Sequence, residues 1–246
     1  MNIIGVIPAR WKSTRFPGKS LTPLCGKPLI QWVVERCRLA RRLDEVIVAT
    51  DDERIRRAVA GLGIRVVMTR SDHPSGTDRV AEATRGLNVD VVANIQGDEP
   101  LIDPGLIDRL VDSMNTEHRW DMATAAAPLD VEVQNPSVCK VVFDREDQAL
   151  YFSRSPIPFI RNQDFSVDQP VHWRHIGIYL YRTDFLKKLV AEPPCLMERA
   201  ECLEQLRALY LGARIKVLRT DQAGLGVDMP QDVPNVEAMM KQMGMV

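Results

Sequence analysis

The sequence predicts an α/β fold, a mostly parallel sheet flanked by helices, with a smaller antiparallel β lobe inserted in the second half. Two observations carry this. Through about residue 126, short apolar runs rich in β-branched residues alternate with helical patterns. Strands bracketed by helices imply βαβ units with right-handed crossovers. After about residue 127 the rhythm changes to strand patterns separated by prolines and a polar stretch.

The first-half strands are expected at Ile3–Ile7, Val46–Ala49, Val66–Met68, Val89–Ile95 and Met122–Ala126. They are apolar on both faces, as a sheet covered on both sides requires. Between them, Leu29–Leu43 places Ile30, Val33, Val34 and Cys37 at helical spacing, with arginines opposite. Asp51 or Asp52 is positioned to cap a helix through Ala60, which Gly61 and Gly63 would end. Thr77 is the expected start of a helix to Arg85, and Pro104 opens another. In the second half, Lys140–Phe143, Ala149–Ser153 and Ile176–Tyr181 read as antiparallel strands. A helix over Met197–Leu211, a strand at Ile215–Leu218 and a last helix after Pro230 complete the pattern. The stiff segment Ser155–Phe159, with two prolines, suits a lid or a dimer contact.

At 246 residues the chain is long enough for one substantial core plus an attached lobe. Its apolar runs are too short to span a bilayer, and the N-terminus reads as a buried strand rather than a signal peptide. Five cysteines with no CxxC pair suit buried thiols in a reducing compartment, so the cytoplasm is expected. A net charge of −1 gives no general reason to expect a nucleic-acid partner. The distribution is uneven. Residues 1–70 hold 14 Lys/Arg against 6 Asp/Glu, and the rest of the chain is acidic. A basic N-terminal part suits a compact polyanion such as a nucleoside triphosphate, although the arginines of the helical patterns read as solvated surface.

The strongest local signal is Pro8–Lys19, directly after the first strand, at the sheet edge where open α/β folds bind ligands. Arg10, Arg15 and Lys19 place three cations in ten residues, and Gly18 admits close approach of a ligand. Arginine grips phosphate oxygens in pairs, and lysine acts as a mobile charge. An ordinary P-loop is excluded, since Ser13 stands where its first glycine belongs and Pro17 removes an N–H from the nest. The second signal is Asn94–Pro100, ending a buried strand. Asp98 there is the natural ligand for Mg²⁺, which is held by one or two carboxylates plus substrate phosphates. Asp228 precedes a proline-started helix and reads as a helix cap or as a second ligand, with the cap favoured by spacing alone. The third is Ser75–Arg79, a helix start whose hydroxyls and amides suit a base edge or a ribose, or simply a capped helix. His172 and His175 do not suggest zinc, because strand residues three apart point to opposite faces. His175 and Tyr179, four apart, share a face and suit one ligand.

Taken together, PAR-x-x-S-x-R-x-P-G-K at Pro8–Lys19, SGTDR at Ser75–Arg79 and QGDEP at Gln96–Pro100 resemble the 3-deoxy-manno-octulosonate (Kdo) cytidylyltransferase family. The match continues through Ala149–Arg154, Arg174–Tyr179, Glu201–Arg207 and Gly226–Pro230, in order and over essentially the whole chain. The resemblance implies one nucleotidyltransferase domain of residues 1–246 with a Rossmann-like sheet, its β lobe at about 128–182 serving sugar binding and a homodimer contact. It implies CMP transfer from CTP to the sugar's anomeric hydroxyl, for lipopolysaccharide synthesis, with no membrane insertion. By the same resemblance Ala9, Arg10, Ser13, Arg15 and Lys19, with Ser75, Gly76, Thr77 and Arg79, hold the nucleotide. Asp98 and Asp228 bind Mg²⁺, and Arg10, Lys19, Asp98 and Asp228 carry catalysis. Gln96, Arg154, His175, Tyr179, Glu204 and Gln205 line the sugar site. Departures are Met229 and Gln231, where Thr and Glu are common, and Ser20, where Pro is frequent. The alternatives are the same chemistry on 8-amino-Kdo or another acidic sugar, activation of a sugar 1-phosphate, or a silent nucleotide-binding module. Loss of Asp98, Asp228 or Lys19 would mark the last, and all three are present.

Overall fold

The computed structural model describes residues 1–12, 16–162, 167–221 and 224–246. The chain divides into two compact units, Met1–Val111 with Gly224–Val246, and Asp112–Ala223.

The first unit is built on strands β1 (Ile3–Ala9), β4 (Glu45–Thr50), β5 (Arg65–Met68) and β6 (Val91–Asn94), with a small hairpin of β2 (Pro23–Leu24) and β3 (Lys27–Pro28). β1 is central. It pairs in parallel with β6 on one side and β4 on the other, and β4 pairs in parallel with β5. Ile4, Val6, Ile7, Val48 and Val92 are essentially inaccessible to solvent, as a doubly covered sheet demands. The helices are α1 (Leu29–Cys37), α2 (Glu53–Ala60), α3 (Gly76–Ala83) and α4 (Pro104–Thr116), which carries the chain toward the second unit.

α1 stops at Cys37, short of the Leu43 that the sequence suggests, because its apolar stripe of Ile30, Val33, Val34 and Cys37 ends there. Beyond it, the Asp108 carboxylate accepts from the backbone N–H groups of Arg41 and Arg42 instead. Asp52 caps α2 by accepting from the Arg54 N–H at 2.8 Å, one of the two caps expected. α3 is capped by Ser75 and begins at Gly76, one residue ahead of the expected Thr77.

In the second unit, β7 (Met122–Pro128), β8 (Lys140–Phe143), β9 (Ala149–Ser153), β10 (Trp173–Arg182) and β11 (Ile215–Arg219) form the strands. β10 runs antiparallel to β7, β8 antiparallel to β9, and β11 parallel to β7. The expected antiparallel strands are present, and β10 is longer than the 176–181 stretch because it extends back to Trp173. Helix α5 (Thr183–Ala191), absent from the sequence reading, buries Phe185, Leu186 and Leu189.

The single helix expected over 197–211 is two, α6 (Leu196–Glu201) and α7 (Gln205–Tyr210). Cys202 between them adopts a left-handed φ of 52°. The cause is tertiary: the Arg154 guanidinium donates to the carbonyls of Glu201 (2.7 Å) and Cys202 (3.3 Å), drawing them out of a continuous helix. After β11 the chain returns to the first unit through α8 (Val233–Gln242), preceded by a 3₁₀ turn at Pro230–Asp232. Among the described residues no helix is long and apolar enough to cross a membrane.

Candidate active site

The C-terminal ends of β1 and β6 lie side by side, and Gly97 makes this possible. A Cβ at Gly97 would sit 2.7 Å from the Pro8 carbonyl oxygen, so only glycine lets the two loops touch. A cavity of about 300 Å³ opens at this edge. Ala9, Arg10, Lys19, Ser75, Gly76 and Arg79 all line it, as do Gln96 and Asp98. Ser13 and Arg15 lie outside the described residues.

The loop after β1 is closed by local contacts. Gly18 has a left-handed φ of 73° and donates its N–H to the Trp11 carbonyl at 3.0 Å. A Cβ there would strike the Trp11 ring at 2.9 Å. The other support for that ring is the Arg54 guanidinium, 3.3 Å from its centroid. This folding delivers Lys19, at the start of a 3₁₀ turn, into the cavity. Arg10 is exposed at the wall.

Lys19 Nζ forms a salt bridge with Asp98 and stands 3.6 Å from Asp228 Oδ1. The Val227 N–H donates to the Asp98 carbonyl at 2.9 Å, fixing the 226–228 turn against the end of β6. Two carboxylates from distant points in the sequence thus reach one cationic centre. That donor set fits Mg²⁺, a hard ion that takes carboxylate oxygens and completes its shell with phosphate and water. Among the described residues no group of three or more His, Cys, Asp or Glu side chains is placed to hold a metal ion. The cap reading of Asp228 does not hold: Asp232, three residues after Met229, accepts from the N–H groups of Asp228 (2.8 Å) and Met229 (2.7 Å).

On the far wall, Ser75 Oγ accepts from the Asp78 N–H at 3.2 Å and donates to its carboxylate at 2.7 Å. This aims the start of α3 at the cavity, a favourable place for anions and polar ligand edges. Arg79 lines the cavity but is almost wholly buried. It pairs with Asp51 at 3.2 Å and donates to Thr69 and the Arg70 carbonyl. Asp51 also accepts weakly from the Trp11 N–H at 3.4 Å, so the ion pair joins three loops. Thr77 is buried, within 3.4 Å of Asn94 Nδ2, and joins α3 to β6 instead of lining the cavity.

The remaining predicted residues belong to the second unit and have partners inside it. His175 Nε2 is 3.0 Å from Thr124 Oγ1, and burial pushes its pKa down to about 3. Phe152 packs edge-on against the imidazole at 5.0 Å, and the Tyr179 ring lies 5.4 Å from it. The expectation that His175 and Tyr179 share a face thus holds, while His172 lies outside the strand and contacts the Pro158 carbonyl. Tyr179 donates its hydroxyl to Gln205 Oε1 at 3.3 Å, and burial raises its pKa. Arg154 spends its guanidinium on carbonyls, Pro136 being the third at 2.9 Å. Glu204 is partly exposed, 3.9 Å from Arg207.

The family model described as Cytidylyltransferase matches residues 4–215. The chain belongs to the cytidylyltransferase family. It is 50% identical over 249 residues to a 3-deoxy-manno-octulosonate cytidylyltransferase of Bdellovibrio bacteriovorus, with all of both chains covered. It is 45% identical to the corresponding protein of Geobacter sulfurreducens, over 98% of this chain and 100% of that one. Among solved structures, a CMP:2-keto-3-deoxy-manno-octonic acid synthetase complexed with CTP superposes with a TM-score of 0.93 at 41% identity. The match covers 99% of this chain and 100% of that one. The resemblance read from seven ordered motifs is therefore membership of the Kdo cytidylyltransferase family.

Sequence reasoning missed four participants. Trp11 and Asp51 organise the loop after β1, and Glu201 accepts from the Ser153 hydroxyl (2.7 Å) and the Arg154 N–H (2.9 Å). His73 lines the cavity beside Ser75. Only its position next to the SGTDR motif marked it in the sequence.

Proposed function

We propose that the chain transfers CMP from CTP to the anomeric hydroxyl of Kdo, giving CMP-Kdo and pyrophosphate for lipopolysaccharide synthesis. The observation that carries this reading is the meeting of Lys19, Asp98 and Asp228 at the C-terminal edge of the parallel sheet. The full-length relatives and the CTP-bound neighbour support the choice of nucleotide and sugar.

In this reading the sugar's anomeric oxygen attacks the α-phosphorus in line, the bond to the β-phosphate's bridging oxygen breaks, and the hydroxyl proton leaves to solvent. Arg10, Arg15 and Lys19 hold the triphosphate and offset the charge that grows on departing pyrophosphate. The start of α3, with Ser75 and Gly76, receives the nucleoside. Asp98 and Asp228 would hold Mg²⁺, which when bound polarises phosphate oxygens and acidifies the attacking hydroxyl. Thr77 and Arg79 act by keeping α3 in place. Gln96, Arg154, His175, Tyr179, Glu204 and Gln205 are assigned to the sugar by family membership. We further place the protein in the cytoplasm as a homodimer, the two units working as one nucleotidyltransferase domain.

The test is pyrophosphate release from CTP and Mg²⁺ with Kdo, 8-amino-Kdo and sialic acid in parallel. Release with Kdo is expected. Release with another acid alone overturns the sugar assignment and keeps the chemistry. CTP binding without release for any acid overturns the catalytic reading.

A further inference from the structure

His73 is the one cavity-lining ring whose place in the chemistry above is unassigned. It follows β5, in the connection to α3, and its side chain is only 8% exposed. Its Nε2 contacts the carboxylate of Glu82, two turns along α3. Glu82 also accepts weakly from the Arg70 N–H at 3.4 Å. Although burial opposes it, these hydrogen bonds together hold the Glu82 pKa below its usual value, so Glu82 is ionised. An ionised carboxylate only accepts hydrogen bonds, so the proton between the two groups sits on Nε2. In the neutral ring this leaves Nδ1 with a lone pair and no proton, since one nitrogen's bond fixes the state of the other. Nδ1 makes no hydrogen bond among the described residues.

The strand order of the first unit says what meets that lone pair. Along the sheet edge the loops follow β6, β1, β4 and β5 in turn. Asp98 follows β6, Arg10 and Lys19 follow β1, and His73 follows β5. Parallel strands are about 4.8 Å apart, so the β6 and β5 ends lie roughly 14 Å apart. On the cytidylyl-transfer reading, with phosphates over the β1 loop and the carboxylates at the β6 end, the base would extend toward β5.

We propose that His73, oriented by Glu82, accepts a hydrogen bond at Nδ1 from the exocyclic amine of cytosine and thereby selects CTP over UTP. Uracil carries a carbonyl oxygen at the same ring position, which would face the Nδ1 lone pair with no proton between them. A site arranged to bond one group leaves a polar atom unpaired when the other binds, and such mismatches discriminate strongly. The inference rests on the cytidylyl-transfer reading for the orientation of the nucleotide.

The test is calorimetric titration of the full chain with CTP and with UTP, Mg²⁺ present and sugar absent, beside a thermal melt of each variant. Wild type is expected to bind CTP more tightly. His73→Ala should lower the CTP-to-UTP affinity ratio roughly tenfold, the cost of about one hydrogen bond. His73→Asn, which keeps an acceptor near the Nδ1 position, should retain more of the preference. Glu82→Gln, whose amide can donate to Nε2 as well as accept, should lower the ratio by a smaller factor although the imidazole remains. Parallel weakening of both nucleotides, or an unchanged ratio, overturns the proposal and leaves His73 a packing residue. The titration uses no sugar and so reads apart from the release assay with sugars: a shifted ratio in the first with no release in the second sinks the proposed reaction alone. Release with an unshifted ratio sinks this inference alone.

Discussion

In the first unit, Lys19, Asp98 and Asp228 are 14%, 30% and 58% exposed, and Lys19 meets both carboxylates. In the second, His175 and Gln205 are below a tenth exposed, and each bonds a neighbour within the unit. The comparison separates two ways of building a polar cluster. Partly solvated charges exchange partners at modest cost, because water screens and re-solvates them. Buried neutral groups are held by the low dielectric around them, where each lost hydrogen bond counts in full. The first arrangement suits groups that release each other when a charged ligand enters. The second suits a wall that holds its shape.

Substitutions can break this contrast, and the largest effect is expected in the first unit. Asp98→Asn should lower the rate of pyrophosphate release a hundredfold or more, ~3 kcal/mol in the barrier, with an unchanged circular-dichroism spectrum and melting temperature. A folded Asp98→Asn protein with near-normal turnover would remove the metal assignment.

The next effect belongs to the second unit and is one of stability. The folded-state pKa of His175 is about 3 against an ordinary 6.5, so the unfolded chain binds the extra proton between these values. Stability from this group is therefore fully present above pH 6.5 and is lost as the pH falls toward 3. By pH 5 the loss is about 2 kcal/mol. Denaturant melts from pH 7 to pH 5 should show it in wild type and show a shallower slope in His175→Gln. Equal slopes in both would assign the acid sensitivity elsewhere.

The smallest effect sharpens the comparison within the second unit. Tyr179→Phe removes the bond to Gln205 and should cost about 1 kcal/mol of stability, with the affinity for CTP unchanged in titration. A large loss of CTP affinity would contradict the assignment of Tyr179 to the sugar.

Much of the candidate site was legible because its residues fall in contiguous motifs at strand ends. A β-strand's apolar run fixes where its C-terminal edge lies, so the cations of Pro8–Lys19 and the carboxylate of Asp98 could be placed on one rim before any coordinates. Asp228 was ambiguous, since a residue before a proline-started helix reads equally as a cap. The competing carboxylate of Asp232 settles that role, and Asp228 is left facing Lys19. Arg79 lines the cavity as its motif suggests, but the sequence could not reveal the buried ion pair that Asp51 makes with it. Helix α5 was missed although Phe185, Leu186 and Leu189 carry a helical stripe, because the preceding strand pattern ran directly into it.

By itself the sequence determined the fold class, the parallel character of the first-half sheet and the family, since these follow from periodicity and from short motifs whose parts are neighbours in the chain. The tertiary structure decided the rest: which carboxylates share one cation, why a fifteen-residue helical pattern breaks at Cys202 to satisfy Arg154, and how His73 acquires Glu82 as its partner. Those outcomes depend on hydrogen bonds and charges between residues distant in sequence or separated by a turn. Their energies are set by burial and distance, and neither exists until the chain has folded.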